Sequence, residues 1–316
     1  MLSPMQTIRQ HLQTGGPWLI FIAAMLWATD APFRYHLTQS LSSGFIVLAE
    51  HAVNVLLVLP FIFRNWNEIR SLNWKQWLSM LAIGIGASAL ASILFTQAFS
   101  YVNPSVAIVL QKLQPLIVIG LAATFLKERT GRRFWLFAAV ALFAAYIISF
   151  PNLRPELFTG EVWNPKTLGV LCALGAAVLW GLGTVLGRVM LAQISFKTVT
   201  SLRFLIAFIF LLFWNLHEAT IATVEALTGK DILFIIIVAV TSGFTSLFIY
   251  YKGLERTRAS VATFAELGFP FLSVLVNALA LGVFLKPIQL VGMALLVFAV
   301  AKLSRIDQST QKITAP

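Results

Sequence analysis

The chain has 316 residues, of which 59% are hydrophobic and 11% charged, and a formal net charge of +11. That balance excludes a soluble globular protein, which needs far more polar surface. Its one cysteine, Cys172, excludes an intramolecular disulfide framework and a thiolate metal cluster, and its expected role is packing inside a helix.

Residues 1–16 carry Arg9 but no short apolar core ending in a small-residue cleavage site, and are expected to be a cytoplasmic tail. Apolar segments of spanning length follow at 17–36, 44–63, 75–100, 104–126, 132–150, 167–190, 196–215, 231–252, 259–282 and 286–303. Residues 304–316 close the chain as a second cytoplasmic tail. The predicted fold is an all-α integral membrane protein of ten transmembrane helices. Of the 23 Lys and Arg, sixteen fall on one side of this topology. Arg34, Arg154, Lys166, Lys230 and Lys286 fall on the other, and Lys112 and Arg203 lie inside spans. The richer side is the cytoplasmic one, so both termini are predicted there, in a bacterial inner membrane. The basic balance then points to anionic lipid headgroups and not to nucleic acid. Trp18, Trp66, Trp74, Trp77, Trp135, Trp163 and Trp214 lie near span ends, as in an interfacial aromatic belt, whereas Trp27 and Trp180 sit deeper.

The two halves resemble each other. SVAIVLQKLQP at 105–115 aligns with SVATFAELGFP at 260–270 at an offset of 155, and LWATDA at 26–31 aligns with LWGLGT at 179–184 at an offset of 153. Five spans per half mean that the second half enters the membrane from the opposite side, the inverted repeat of many secondary transporters. The predicted organisation is a first repeat at 17–150, an extracytoplasmic linker at 151–166 and a second repeat at 167–303.

Charges inside a bilayer are costly, about 2.5–3.5 kcal/mol each or more, and so mark sites. In the fourth and ninth spans, Pro115 and Pro270 are expected to kink the helix and free the carbonyls of Gln111 and Glu266. Thr263, Glu266, Pro270, Ser273 and Asn277 follow at steps of 3, 4, 3 and 4, one helix face, which predicts a cavity-lining stripe. Lys112, flanked by Gln111 and Gln114, either forms a structural ion pair with Glu266 or faces the cavity with it. In the second case the two meet the carboxylate and ammonium of a zwitterion. Glu50, His51 and Asn54 share a turn; they either couple transport to protons through His51 or form a polar packing cluster with Arg203. Asp30, two residues before Pro32, is expected at the interface or in a loop. Ser88, Ser92 and Thr96, and likewise Thr241 and Thr245, are spaced by four; they pack helices or line the cavity. Gly183 and Gly187 suit close helix approach. Trp27 and Trp180, at equivalent repeat positions, either pack or offer an aromatic ligand a stacking surface. Phosphate-loop, zinc-spaced and nucleophile-elbow motifs are missing from the sequence, so no metal, cofactor or enzymatic activity is expected.

AAVLWGLGTVLGRVML at 176–191, LRFLIAFIFLL at 202–212, ASVATFAELGFPF at 259–271 and FLKERTGRRFW at 125–135 together resemble the EamA-type ten-helix members of the drug/metabolite transporter superfamily. Within it the chain is most similar to the YddG-type aromatic amino-acid exporters. The resemblance implies export of small metabolites, amino acids foremost, through a central cavity, by a chain expected to act as a monomer. Two positions depart from the pattern: Ala49-Glu50-His51 stands where the second half has Leu202-Arg203-Phe204, and Gly282-Val283 stands opposite Lys127-Glu128. A drug, cation, nucleotide-sugar or phosphate-ester carrier is the alternative in transport. An integral-membrane enzyme on lipid-linked substrates, with Glu50 and His51 as acid and base, is the alternative in another class.

Overall fold

The computed structural model describes residues 4–114, 116–118, 120, 132–153, 158–159, 162–217, 224–257, 262, 265–266 and 269–314. The first span is α1 (Pro4–Trp27) followed, after a break, by α2 (Ala31–Leu37). Next come α3 (Ser43–Arg64), the short α4 (Trp66–Arg70), α5 (Trp74–Phe99), α6 (Pro104–Gln111) and α7 (Arg132–Ser149). A two-residue hairpin, β1 (Phe158–Thr159) against β2 (Val162–Trp163), precedes the second half. That half has α8 (Pro165–Leu191), α9 (Phe196–Trp214), α10 (Gly229–Glu255), α11 (Phe269–Leu281) and α12 (Pro287–Thr314). Six of the described helices are long and apolar enough to cross a bilayer, and four shorter apolar ones complete the ten. The helix of the first span begins at Pro4 and that of the last runs to Thr314, so helix continues into both predicted tails.

The starts of the spans are written locally, and in duplicate. Ser42 caps α3 by accepting from the Phe45 N–H, and Ser195 caps α9 by accepting from the Thr198 N–H. Asn73 and Gln76 form a capping box at α5; Thr228 and Asp231 form one at α10. Gly282, at φ +63°, ends α11 in the left-handed conformation that a residue with a Cβ resists. Packing repeats the duplication. α3 lies against α9, α6 against α11 and α7 against α12, each helix beside its own counterpart. α1 lies against α10 and α5 against α8, two pairs that exchange when the halves are swapped. This is the two-fold relation expected between inverted repeats.

Large apolar side chains on the outside, such as Leu56, Phe63 and Leu279, are more than 60% exposed, which suits lipid and not water. The predicted belt residues Trp18, Trp66, Trp74, Trp77, Trp135 and Trp214 are all exposed, while the side chain of Trp163 lies outside the described residues.

Two features interrupt the helices where the halves meet. α5 passes through a π-helical segment at Ala82–Leu90, and α10 through one at Ala239–Thr245. These are equivalent positions of the repeat. Such a wide turn leaves main-chain groups without their usual i−4 partners and is frequent at functional sites. The first and fourth spans are also broken. Residues 28–30 form turns before α2, and α6 stops at Lys112, which has φ −72° and ψ 5°. There the Lys112 and Leu113 N–H groups bond to carbonyls three residues back. The sequence predicts both segments as continuous through these points; Asp30 and Pro32 end the first helix, and the tight turn ends the other.

Candidate functional site

A cavity of about 1000 Å³, including the part open to solvent, lies between the halves. Its aromatic wall contains Trp27, Phe95, Trp180, Phe204, Tyr250, Tyr251 and Phe269; its polar wall contains Asp30, Arg34, Glu50, His51, Asn54, Gln111, Gln114, Arg203 and Glu266. Ser88, Ser92, Thr184, Ser242 and Gly243 complete the lining with Leu247. Trp27 is braced by Tyr250 and Trp180 by Phe95, each with ring centroids 5.1 Å apart. The equivalent tryptophans therefore face one space from opposite halves.

Three charged groups border this space. In the first, Arg34 is buried, although its position near a span end predicts an outer loop. The break after Trp27 lets α2 turn it inward. Its two terminal nitrogens reach Glu50 at 2.9 and 3.0 Å, and one of them also donates to Thr96 Oγ1 at 2.7 Å. Asp30 lies at 3.4 Å from the same guanidinium and accepts from Ser242 Oγ at 3.3 Å. Asp30 is thus a buried cavity residue and not the predicted loop residue. Of the residues in the alternative packing cluster with Arg203, Glu50 pairs with Arg34 instead, whereas His51 shares Ser88 with Arg203.

The second group is Arg203. It donates from Nε to Ser88 Oγ at 3.1 Å, from one terminal nitrogen to Tyr251 Oη at 2.9 Å and from the other to the Ala87 carbonyl at 2.8 Å. Ser88 and Ala87 belong to the π-helical segment of α5. His51 joins the same chain, with Nδ1 at 2.8 Å from the Val47 carbonyl and Nε2 at 3.1 Å from Ser88 Oγ. A carbonyl only accepts, so Nδ1 carries a hydrogen. In a neutral ring Nε2 then accepts from the Ser88 hydroxyl while that oxygen accepts from Arg203, and every group is satisfied. Protonating His51 would turn the Ser88 hydroxyl away and set a second cation beside Arg203. The local arrangement fits a fixed neutral ring better than a proton carrier.

The third group is Lys112 with Glu266, 3.5 Å apart, the lysine also standing 4.3 Å above the Phe269 ring. Lys112 is buried behind the lining, whereas Glu266 and Gln111 reach it. Gln114 donates to Thr184 Oγ1 at 3.1 Å.

The predicted stripe on the ninth span divides. Glu266 lines the cavity, but Ser273 and Asn277 are fully buried away from it, and Asn277 donates to Ser105 of α6 at 3.0 Å. That face packs against the fourth span. Thr96 is likewise fully buried under Arg34, and Thr245 is half-buried outside the lining. Pro270 is the second described residue of α11, and residues 267–268 before it, on which the predicted kink turns, lie outside the described residues. Pro115 and Thr263 lie outside the described residues. Gly183 and Gly187 do give close approach, to Ala87 and to the Tyr251 ring. Gly243 does the same for Asn54, whose amide lies 2.8 Å from where a Cβ would stand. Sequence reasoning missed Arg34, Asp30 and the tyrosines. The available signal was Asp30-Ala31-Pro32 inside a span, which can end a helix and redirect the residues after it.

The EamA-like transporter family matches the chain twice, at residues 14–150 and 167–305. The riboflavin transporter ImpX of Fusobacterium nucleatum is 28% identical over 302 residues, covering 92% of this chain and 98% of its own. The inner membrane transporter YicL of Salmonella typhimurium is 23% identical, with 84% and 86% covered. The transporter YwfM of Bacillus subtilis is 26% identical over 194 residues, 60% of each chain. A solved crystal structure superposes with a TM-score of 0.64 at 17% identity over 96% of this chain and 99% of that one, a likeness of fold. With both repeats matched, and with ten apolar helices around a central cavity, the chain belongs to the EamA-like transporter family of the drug/metabolite transporter superfamily.

Proposed function

We propose that this chain is a secondary carrier of a neutral, planar aromatic metabolite with hydroxylated or amide-like edges, of the riboflavin class, working by alternating access around the central cavity. The observation that carries this reading is the pairing of Trp27 and Trp180, which line the cavity from opposite halves beside polar groups already engaged with one another. Arg34 is held by Glu50 and Asp30, and Lys112 by Glu266. Such a wall favours stacking and neutral hydrogen bonds over binding of a free charge. The similarity to a riboflavin transporter over 92% of the chain supports the same class.

The second reading is a zwitterionic aromatic amino acid, as in the YddG-type exporters. It is favoured by Arg203, which has no carboxylate within 4 Å among the described residues and could meet a substrate carboxylate. Both readings make the protein a carrier and not an enzyme, monomeric and without cofactor. The inner-membrane name of the Salmonella relative supports a bacterial inner membrane. With Arg34 removed to the interior, four Lys and Arg remain on the predicted outer side, which strengthens the case for cytoplasmic termini.

Proteoliposomes loaded with unlabelled riboflavin or unlabelled phenylalanine, then given the labelled compound, decide between the readings. Counterflow of riboflavin above empty vesicles, lost in Trp180→Ala, is the expected result. Counterflow of phenylalanine alone would replace the first reading with the second, and movement of neither would overturn both.

A further inference from the structure

The two π-helical segments are each hooked by the opposite half, but by bonds of different strength. On α5, Arg203 of the second half holds the segment with charged hydrogen bonds of 2.8 and 3.1 Å, to Ala87 O and Ser88 Oγ, and is itself held by Tyr251. On α10, the hook comes from the broken first span. The Trp27 indole N–H donates to the Ser242 carbonyl at 3.0 Å, and the Ser242 hydroxyl donates to Asp30 at 3.3 Å. Ser242 Oγ also has its own helix to turn to, since the Val238 carbonyl lies at 3.0 Å. It can leave Asp30 without losing its only acceptor. Asp30 in turn keeps contact with Arg34, which is anchored within the first half by the fork onto Glu50 and by Thr96.

We propose that Ser242, with Asp30 and Trp27, is the releasable catch of the transport cycle, and that Arg203 on Ala87 and Ser88 is its fixed pivot. Alternating access needs contacts between the halves that break on one side of the substrate while others persist. Buried charge-assisted bonds to a main-chain carbonyl and a hydroxyl, one from each guanidinium nitrogen with Tyr251 taking the third, are the kind that persist. A long hydroxyl–carboxylate bond with an alternative acceptor at hand is the kind that exchanges. Ser242 is on this account a positioning residue, setting the balance between the two access states and not the strength of substrate contacts.

The test needs no substrate, so its outcome stands apart from the riboflavin reading. In the full chain with Cys172→Ala, Ser92→Cys places one thiol in the cavity wall. Its labelling by a membrane-impermeant maleimide, in proteoliposomes and in inverted ones, reports which side the cavity faces. Ser242→Ala should change the ratio of the two labelling rates by about two- to tenfold, the worth of one hydrogen bond. Ser242→Thr, which restores the hydroxyl, should return it toward the parent value. Tyr251→Phe, which trims the pivot by one bond, should leave the ratio within about twofold. An unchanged ratio in Ser242→Ala, with labelling otherwise normal, would overturn the catch. So would a Ser242→Thr protein that behaves as Ser242→Ala, or a Tyr251→Phe protein that moves the ratio as far.

Discussion

The first and sixth spans occupy equivalent places in the repeat, yet only one of them is whole. α8 runs unbroken from Pro165 to Leu191, past Trp180 and Thr184. Its counterpart stops at Trp27 and restarts as α2, seven residues long, which carries Arg34 inward. LWGLGT keeps the helix, whereas LWATDA followed by a proline ends it. The broken span brings charge into the molecule and the whole one brings only an indole and a hydroxyl. The difference teaches that duplicated architecture can supply a symmetric frame while a single local break adds a charged pair, Asp30 and Arg34, that the twin span lacks. The first half contributes Asp30, Arg34, Glu50 and Lys112 to the region of the cavity, the second Arg203 and Glu266.

Removing the cation that the break delivers is the harshest way to probe this difference. Arg34→Met would leave Asp30 and Glu50 buried without their counter-ion, a loss of about 3–5 kcal/mol or more. Unfolding in detergent by denaturant should show it, and the triple change Arg34→Met, Asp30→Asn, Glu50→Gln should recover much of the stability. If Arg34→Met unfolds at the parent concentration of denaturant, the buried cluster is not what holds α2. Lys112→Met uncovers only one carboxylate, Glu266, at a longer 3.5 Å separation, and its cost should sit near the low end, about 3 kcal/mol. Adding Glu266→Gln should restore folding; transport in that double variant then tells whether the pair serves the cavity as well as the fold.

A milder comparison sets the two tryptophans against each other. Trp27→Phe keeps a ring but loses the bond to the Ser242 carbonyl, at a cost of about 0.5–1.5 kcal/mol. Trp180 has its ring against Phe95, and Trp180→Phe should cost less than that. Equal melting curves for the two variants would remove the distinction drawn between the broken and the whole span.

The frame was legible because its signals are local. Ser42 and Ser195, Asn73 with Gln76 and Thr228 with Asp231 mark span starts by their own chemistry, and the offsets of 153 and 155 align the halves. Trp27, Trp180, Gln111, Gln114, Glu50, His51, Asn54, Ser92, Arg203 and Glu266 were named from the sequence and do line the cavity. The residues that escaped depend on three-dimensional direction. Periodicity put Ser273 and Asn277 on the face of Glu266, but that face turns from the cavity toward Ser105 within two turns. Arg34 looked like a loop residue because charge counting assumes that a cation near a span end reaches water. The π-helical segments have no composition signature, since Ala82–Leu90 is as apolar as any lipid-facing helix. Hydrogen-bond partners such as Ala87 O and Ser242 O belong to the main chain and have no letter in the sequence.

The smallest expected effect lies outside the bilayer, at the connection between α3 and α5. Glu68 of α4 reaches across to the first turn of α9, where it accepts from the Ser195 N–H at 2.8 Å, from Ser195 Oγ at 2.7 Å and from the Thr198 hydroxyl. Burial pushes its carboxyl up, but the bonds from Thr198 and Ser195 outweigh that and hold it below the usual glutamate value. The corresponding contact from the second half is neutral: the Asn215 amide donates to the Gly44 carbonyl of α3 at 3.3 Å. A carboxyl lowered by folding stabilises the folded state fully above its unfolded value of about 4.3, and the contribution is lost as pH falls through the folded value. The glutamate is only partly buried, so screening keeps this to at most about 1 kcal/mol at neutral pH. Glu68→Gln should therefore lower the melting temperature slightly at pH 7 and not at pH 3.5, whereas Asn215→Ala should shift it by the same amount at both. If the two variants share one pH profile, the carboxylate adds nothing at α9 that the amide does not add at α3.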